Sequence, residues 1–326
     1  MRKVIFDTDI GTDDAVALMA LLLADDIDVI GVTTVFGNRP VENTTDNALR
    51  MIEFLGKDVP VYKGCSSSLV RSLTPGRDMN TLMQCIVKQR DGKEVRIHEE
   101  TLQLPAASKK EQAKHACSYI VETLLASRQP IDICAVGPLT NIAVAIKMNP
   151  EIVNKIGTMY IMGGGLFVGN RTPVAEANFY DDPEAAEIVL NCGAHIVLGP
   201  IEGNEDGATY TQQDINDIEA IDNKTAIFTA KLLRDFIERC QFLFAPEIDS
   251  CCIHDYAGIV PIIDSETVTD LRREICHVDI SGGMSDGQLV CDRRGYDTSA
   301  SNVEVVYKMD SEKVHKILLD LISKAN

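Results

Sequence analysis

The chain has 326 residues, 45% of them hydrophobic and 25% charged, the proportions of a globular protein long enough to bury a large core without disulfide staples. Its 31 basic and 49 acidic side chains leave a net charge of -18, which repels phosphate backbones and anionic membranes and argues against nucleic acid or a lipid surface as partner. A neutral small molecule or a bound cation suits that balance better. No apolar run reaches the ~18 residues needed to span a bilayer. The N-terminus enters a strand at once, without a signal-peptide pattern. Ten cysteines are scattered with no CxxC pair, so they read as reduced thiols and the chain as cytoplasmic.

Short apolar runs alternate with longer amphipathic stretches. Residues 3–6 predict a buried strand ending in carboxylates, 14–24 a helix, and 27–34 a strand ending at Phe36-Gly37-Asn38. A helix over 41–55 and a short strand over 59–62 follow. This βαβαβ rhythm predicts a parallel sheet with helices on both faces. From 66 to 105 the sequence is polar and weakly periodic, which predicts a long loop or flap. The rhythm resumes with a helix over 109–127, a strand over 131–136, a helix opening at 141–145 and a strand over 158–162 that ends at Gly163-Gly164-Gly165. A helix over 183–191, a strand over 195–198, a long helix over 226–244, a strand over 303–308 and a helix over 311–323 complete the series. No repeat or linker divides the chain. The expectation is one α/β domain over 1–326, with an open, mostly parallel central sheet flanked by helices.

In such sheets ligands sit beyond the carboxyl ends of the strands, and the sequences with chemical content fall there. Asp7, Asp9, Asp13 and Asp14 lie within eight residues, at a strand end and the helix start after it. Carboxylates packed this closely repel one another, so some bind protons or a cation sits among them. The helix N-terminus relieves part of the repulsion at Asp13 and Asp14. Helix capping accounts for any one of these residues, but poorly for all four. The spacing is not an EF-hand loop, because the glycine comes fifth and no Glu closes twelve residues. Phosphatases that open with a strand and a DxD motif are a second reading, but Ile10-Gly11-Thr12-Asp13-Asp14 fits that pattern badly.

The run Asp7-Thr8-Asp9-Ile10-Gly11-Thr12-Asp13-Asp14-Ala15 resembles the DxDxGxDDA signature of the inosine–uridine-preferring nucleoside hydrolases. Four later segments resemble the same family in the same order: Gly37-Asn38, Gly137-Pro138-Leu139-Thr140-Asn141, Met162-Gly163-Gly164 through Ala175-Glu176-Ala177-Asn178, and His254-Asp255. The resemblance spans nearly the whole chain and is weak over 66–108 and 200–223. It implies a Rossmann-like nucleoside hydrolase fold and a homodimer or homotetramer. It also implies calcium-dependent cleavage of ribonucleosides to ribose and base. The family's calcium ligands then fall on Asp9, Asp14, Asp255 and the carbonyl oxygen of Val136. Its ribose-binding residues fall on Asp13, Asn38, Asn170, Glu176 and Asn178, with Met162 packing nearby. Asp7 would orient the first calcium carboxylate from behind, and His254 falls on the histidine proposed to protonate the departing base. On this reading Asp9 is the general base beside a calcium-held water. The sugar becomes oxocarbenium-like, and a site built to hydrogen-bond ribose hydroxyls rejects 2′-deoxyribonucleosides.

The sequence also departs from the family pattern. Ala177 stands where Phe is frequent, and His98 lacks the glycines that usually follow the matching histidine, so it receives no catalytic role. The stretch 200–211 carries acids where the family often has a short turn. There is no Trp, which argues against the subgroup that sandwiches a purine between two tryptophans. Phe242 and Pro246 stand where pyrimidine-specific members carry Gln and Tyr, and Phe242 could stack on a base. The sequence therefore leans to purine or broad specificity, with pyrimidine preference as the alternative. A non-catalytic nucleoside- or sugar-binding protein on the same fold is the competing class.

Overall fold

The computed structural model describes residues 1–75, 77, 87–295 and 300–325. In chain order its strands are β1 (Arg2–Thr8), β2 (Ile27–Thr34), β3 (Val61–Lys63), β4 (Val87–Arg90), β5 (Lys93–Arg96), β6 (Ile131–Ala135) and β7 (Ile156–Met162). Then come β8 (His195–Gly199), β9 (Thr209–Thr211), β10 (Ser250–Cys252), β11 (Val268–Glu274), β12 (Cys276–Val278), β13 (Leu289–Cys291) and β14 (Val303–Met309). Eight of them form one sheet in the order β11-β14-β8-β7-β6-β1-β2-β3. Every neighbouring pair is parallel except β11 with β14.

The apolar runs explain the layering, because a parallel strand covered on both faces must be hydrophobic throughout. On β1, Val4 and Phe6 join the core on one face while Ile5 joins the core on the other. The helices Thr12–Leu23 and His254–Ile263 pack together on the first face. The helices Ala116–Ala126, Thr140–Met148 and Pro183–Leu190 cover the second.

The strand order positions the site. The chain builds β1, β2 and β3 outward in one direction, then returns to lay β6 on the other flank of β1 and continues through β7 and β8. The order therefore reverses between β1 and β6, and the crevice beyond their carboxyl ends is where a ligand binds in sheets of this kind. Val136 N–H donates to the Asp7 carbonyl at 2.9 Å and Val35 N–H to the Thr8 carbonyl at 3.0 Å. These bonds hold the three strand ends together.

Several expectations change. The helix expected over 109–127 begins at Ala116, with His115 as its cap. The Glu53 carboxylate takes the N–H groups of Ser108 and Lys109, which ties the preceding polar stretch to the surface. The polar segment 66–105 contains the hairpin β4–β5. Its turn residues Asp91 and Gly92 have φ of 52° and 75°, the values a two-residue type I′ turn needs. Residues 76 and 78–86 of that segment lie outside the described residues. The stretch 200–223 folds as the helix Ile201–Ala208, β9 and the helix Gln212–Glu219. The last begins with a capping box between Thr211 and Asp214. Strands β11 to β13 went unread because β11 is a charged, half-exposed edge without an apolar run.

Candidate active site

The site begins where β1 gives way to the helix Thr12–Leu23. Asp14 is the third residue of that helix, and it reaches back to accept the Gly11 N–H at 2.8 Å. It also accepts from Thr8 Oγ1 at 2.6 Å and Asn38 Nδ2 at 3.1 Å. Asp9 Oδ2 accepts the Asn38 N–H at 2.5 Å. Two glycines make room for this carboxylate. A Cβ on Gly37 would stand 2.1 Å from Asp9 Oδ2, and one on Gly137 would stand 2.8 Å from Oδ1. Gly37 also has φ of 155°.

Asp255 completes the cluster from the first turn of the helix His254–Ile263. Oxygens of Asp13, Asp14 and Asp255 all lie within 4.8 Å of one another. Asp9 Oδ1 and Asp13 Oδ1 are buried and accept no hydrogen bond. Calcium holds its oxygens at 2.3–2.6 Å, so ligand atoms across the ion stand up to ~5 Å apart. The spacing and the orphaned oxygens thus fit a hard divalent cation. Burial first, then the neighbouring carboxylates, push Asp9 and Asp255 well above the ordinary range. Burial and Asp14 push Asp13 up to about 7. Without a cation such a group holds protons, and a cation would drive them off.

The opposite rim is built by the segment after β7. Asn178 is buried, and its Nδ2 donates to the carbonyls of Val136 and Met162 at 3.1 Å each, with Met162 Sδ at 3.5 Å. Glu176 caps the short helix Ala177–Asp181. Its Oε1 accepts the Asn178 N–H at 2.8 Å, and its Oε2 accepts those of Gly164 at 2.8 Å and Phe179 at 3.2 Å. A carboxylate offers about four acceptor positions, so one remains for a ligand hydroxyl. Asn170 is exposed at the loop's edge, where its Oδ1 accepts the Ala177 N–H at 2.9 Å.

Three of the expected site residues have partners or surroundings that the sequence does not reveal. Asn38, expected at the ribose, gives its amide to Asp14 and its backbone N–H to Asp9, so it braces the acidic cluster. Asp7, expected behind Asp9, is aligned with Thr33 on β2. Its Oδ1 accepts from Thr33 Oγ1 at 2.5 Å and Asn141 Nδ2 at 2.8 Å. Burial pushes the imidazole of His254 down to about 4, so it is neutral near pH 7 instead of titrating there. Its Nε2 has no hydrogen-bond partner, which leaves a ring free to donate a hydrogen bond but holding no spare proton.

Beside Thr12 a cleft of about 630 Å³ opens, lined by Phe242, His98, Arg39, Arg90, Arg239 and Glu99 among others. Phe242 lies there, with the Arg90 guanidinium 5.6 Å from its ring centroid. His98 Nδ1 accepts the Thr12 N–H at 3.2 Å, and a Cβ on Gly11 would stand 2.5 Å from that nitrogen. Burial, then Arg239, Arg171 and Arg39, push His98 down to about 3. Arg239 Nη2 donates to Thr12 Oγ1 at 3.3 Å.

The contacts of His98 and Arg239 with Thr12 are not legible in the sequence, because they join segments far apart along the chain. Also missed was the buried ion pair of Arg171 with Asp181 at 3.0 Å. Burial pushes Asp181 up to about 7, and its charge reaches Asp9.

An open, mostly parallel sheet with clustered carboxylates at its switch point has the form of an α/β protein with a small-ligand site that could hold a cation. Comparison with known proteins gives the family. Residues 4–316 match the inosine-uridine preferring nucleoside hydrolase model. An uncharacterised protein of Schizosaccharomyces pombe is 31% identical, with 99% of each chain covered. The pyrimidine-specific ribonucleoside hydrolase RihA of Salmonella gallinarum is 32% identical, over 95% of this chain and 94% of its own. Among solved structures, a plant nucleoside hydrolase superposes with a TM-score of 0.84 at 30% identity, covering 99% of each chain. A purine-preferring ribonucleoside hydrolase from Gardnerella vaginalis gives 0.83 at 25%, covering 99% of this chain and 98% of its own.

The chain belongs to the inosine-uridine preferring nucleoside hydrolase family. It is a nucleoside hydrolase, from a family of metal-dependent enzymes. Among the described residues no helix is long and apolar enough to cross a membrane.

Proposed function

We propose that this enzyme hydrolyses the N-glycosidic bond of ribonucleosides at a calcium site formed by Asp9, Asp14, Asp255 and the carbonyl of Val136, with Asp13 beside them. The observation that carries this reading is the carboxylate trio of Asp13, Asp14 and Asp255 within 4.8 Å, with buried oxygens of Asp13 and of Asp9 left unpartnered. Calcium bound there would lower the pKa of water and fix its position. Asp9, whose Oδ1 is buried and unpartnered, would be the base that takes a proton from water attacking the anomeric carbon. Asp13, Glu176, Asn178 and Asn170 hold the ribose hydroxyls, with Met162 against the ring, and the surrounding acids favour the positive charge that develops on the sugar. The base would leave with the electron pair of the broken C–N bond and take up a proton from solvent water, balanced by the proton that Asp9 later releases, while neutral His254 donates it a hydrogen bond.

Phe242 and the adjoining cleft would receive the base, on which basis we assign purine or broad specificity. The RihA relatives favour a second reading, pyrimidine preference. Incubation with inosine, adenosine, guanosine, uridine and cytidine, reading base and free ribose, decides between them. Release of ribose from inosine or guanosine at least as fast as from uridine supports the first. Turnover of uridine and cytidine alone supports the second. Failure with all five would leave only a binding role. We further take the chain to be a single-domain, cytoplasmic homodimer or homotetramer, which light scattering of the purified protein and fractionation of cells would test.

A further inference from the structure

The Asn141 amide that donates to Asp7 has its other end in a different cluster. Asn141 Oδ1 accepts the Cys65 N–H at 2.8 Å and lies 3.8 Å from Cys117 Sγ. Cys65 follows β3, while His115 and Cys117 stand at the start of the helix Ala116–Ala126. One ligand atom from each of Cys65, His115 and Cys117 lies within 4.8 Å of the others. The two sulfurs are 3.8 Å apart.

That distance has a chemical meaning. Zinc binds thiolate at about 2.3 Å, and two such bonds at the tetrahedral angle place the sulfurs ~3.8 Å apart. A disulfide needs an S–S distance of ~2.05 Å, so forming one would require the thiols to close most of the gap. Burial is graded in the way a half-open site requires, with Cys117 buried, Cys65 half-buried and His115 exposed. Cys117 lies in the first turn of its helix, where the backbone dipole favours thiolate, but the Cys65 thiol, burial and the Asp7 charge push its thiol up, so a bound ion has to drive off the proton. The His115 Nδ1 accepts the Cys117 N–H at 3.3 Å, which holds the ring next to that residue, and an ion would have to displace either this capping bond or the proton on Nε2 to bind the ring. Cys276 and Cys291 make a useful contrast. They face each other across β12 and β13 at 3.5 Å, but no histidine or acid joins them within ligand distance among the described residues.

We propose that Cys65, Cys117 and His115 form a second cation site, selective for a soft divalent ion and best suited to zinc, with water in the fourth position. Thiolate and imidazole select such ions, whereas calcium takes oxygen, so this site and the acidic cage do not compete. Its place in the fold suggests a structural task. The Cys65 carbonyl accepts the Phe36 N–H at 3.1 Å, and Phe36 immediately precedes Gly37, which packs on Asp9. An ion here clamps the end of β3 to the helix Ala116–Ala126, behind the loop that supports the acidic cluster.

The test uses the full chain, reduced and stripped of metal, titrated with cobalt(II). The expected result is a thiolate-to-cobalt charge-transfer band that saturates at one equivalent per chain. Cobalt in the all-oxygen cage gives no such band, so the outcome is independent of the calcium assignment. Cys65→Ser should abolish the band. His115→Ala, at an exposed position, should weaken binding at least ~10-fold, the scale on which even the partners of metal ligands count. The double variant Cys276→Ser/Cys291→Ser should leave the band intact. Circular dichroism confirms that each variant is folded. Absence of the band in the folded, reduced protein would overturn the proposal, and so would a band that survives Cys65→Ser. A Cys65–Cys117 disulfide found by peptide mapping of freshly isolated protein would also overturn it.

Discussion

Two walls border the strand-end crevice, and they are built differently. Around Asp9, Asp14, Asp255, Glu176 and Asn178 the side chains are short and buried, and they are held by backbone N–H groups, capping bonds and glycines with no room for a Cβ. Along the cleft at Phe242, Arg39, Arg90 and Arg239 they are long, partly exposed and of mixed charge. The first wall can hold atoms to within a few tenths of an ångström, as catalysis requires. The second can be repacked cheaply. On the proposed function, the contrast would let relatives described as pyrimidine-specific and purine-preferring share one fold with this chain, the first wall carrying the reaction and the second the choice of base.

Substitutions on the two walls should therefore differ in size and kind. The largest effect is expected at Asp9. Asp9→Asn keeps the shape but removes the charge, and kcat should fall by at least ~10³-fold, within the range for loss of a general base. A fall of less than tenfold in a steady-state assay of base release would place the base elsewhere. Next comes Asn178→Ala, which removes the amide that donates to the carbonyls of Val136 and Met162 and that is proposed to hold ribose. Loss of one hydrogen-bonding partner of the sugar is worth ~1–3 kcal/mol, so kcat/KM for ribonucleosides should drop ~10–100-fold. The preference over 2′-deoxyribonucleosides should shrink with it, and an unchanged ratio would remove Asn178 from the sugar site. On the second wall, Phe242→Ala should shift the purine-to-pyrimidine ratio of kcat/KM by ~2–10-fold, the worth of one aromatic contact. Inhibition by free ribose should stay as it was. If inhibition weakens together with turnover on every base, the two walls are not separable.

The smallest effect is one of stability. Burial raises Asp181 to about 7 and Asp182 to about 6, against an ordinary 3.8. The folded chain thus binds these protons more tightly than the unfolded chain. Their contribution is complete below pH ~4 and is lost as pH rises through 6 and 7. Thermal unfolding of chelator-treated protein should show Tm declining between pH 5 and pH 8. Calcium should raise Tm more at pH 8 than at pH 5, because its ligands must be ionised. A metal-free Tm that climbs across this window would contradict the assignment of buried, proton-holding acids.

The same contrast governs what could be read from sequence. The central strands are continuous apolar runs, and Asp9 and Asp14 sit in a dense motif at a strand end and helix start, so local pattern located them, whereas Asp255, far along the chain, follows only from the family resemblance. The edge strand β11 alternates charge with sparse apolar residues and left no such trace. The hairpin β4–β5 does leave one, the Asp91-Gly92 pair, but within a polar stretch whose weak periodicity predicts loop. Partnering is decided by register and is invisible along the chain. Asp7 meets Thr33 because β1 and β2 align there, and Asn38 turns to the acids because Gly37 lets its loop close on Asp9. His254 shows the limit from the chemical side. The residue type suggests a proton donor near neutrality, whereas its surroundings lower the imidazole to about 4.

The most direct test of the metal-centred mechanism is turnover of inosine and uridine by chelator-stripped protein as calcium is returned, with metal content measured at each step. The account predicts negligible base release at the start and full activity at one calcium per chain. Full activity in protein shown to contain no divalent metal would contradict it.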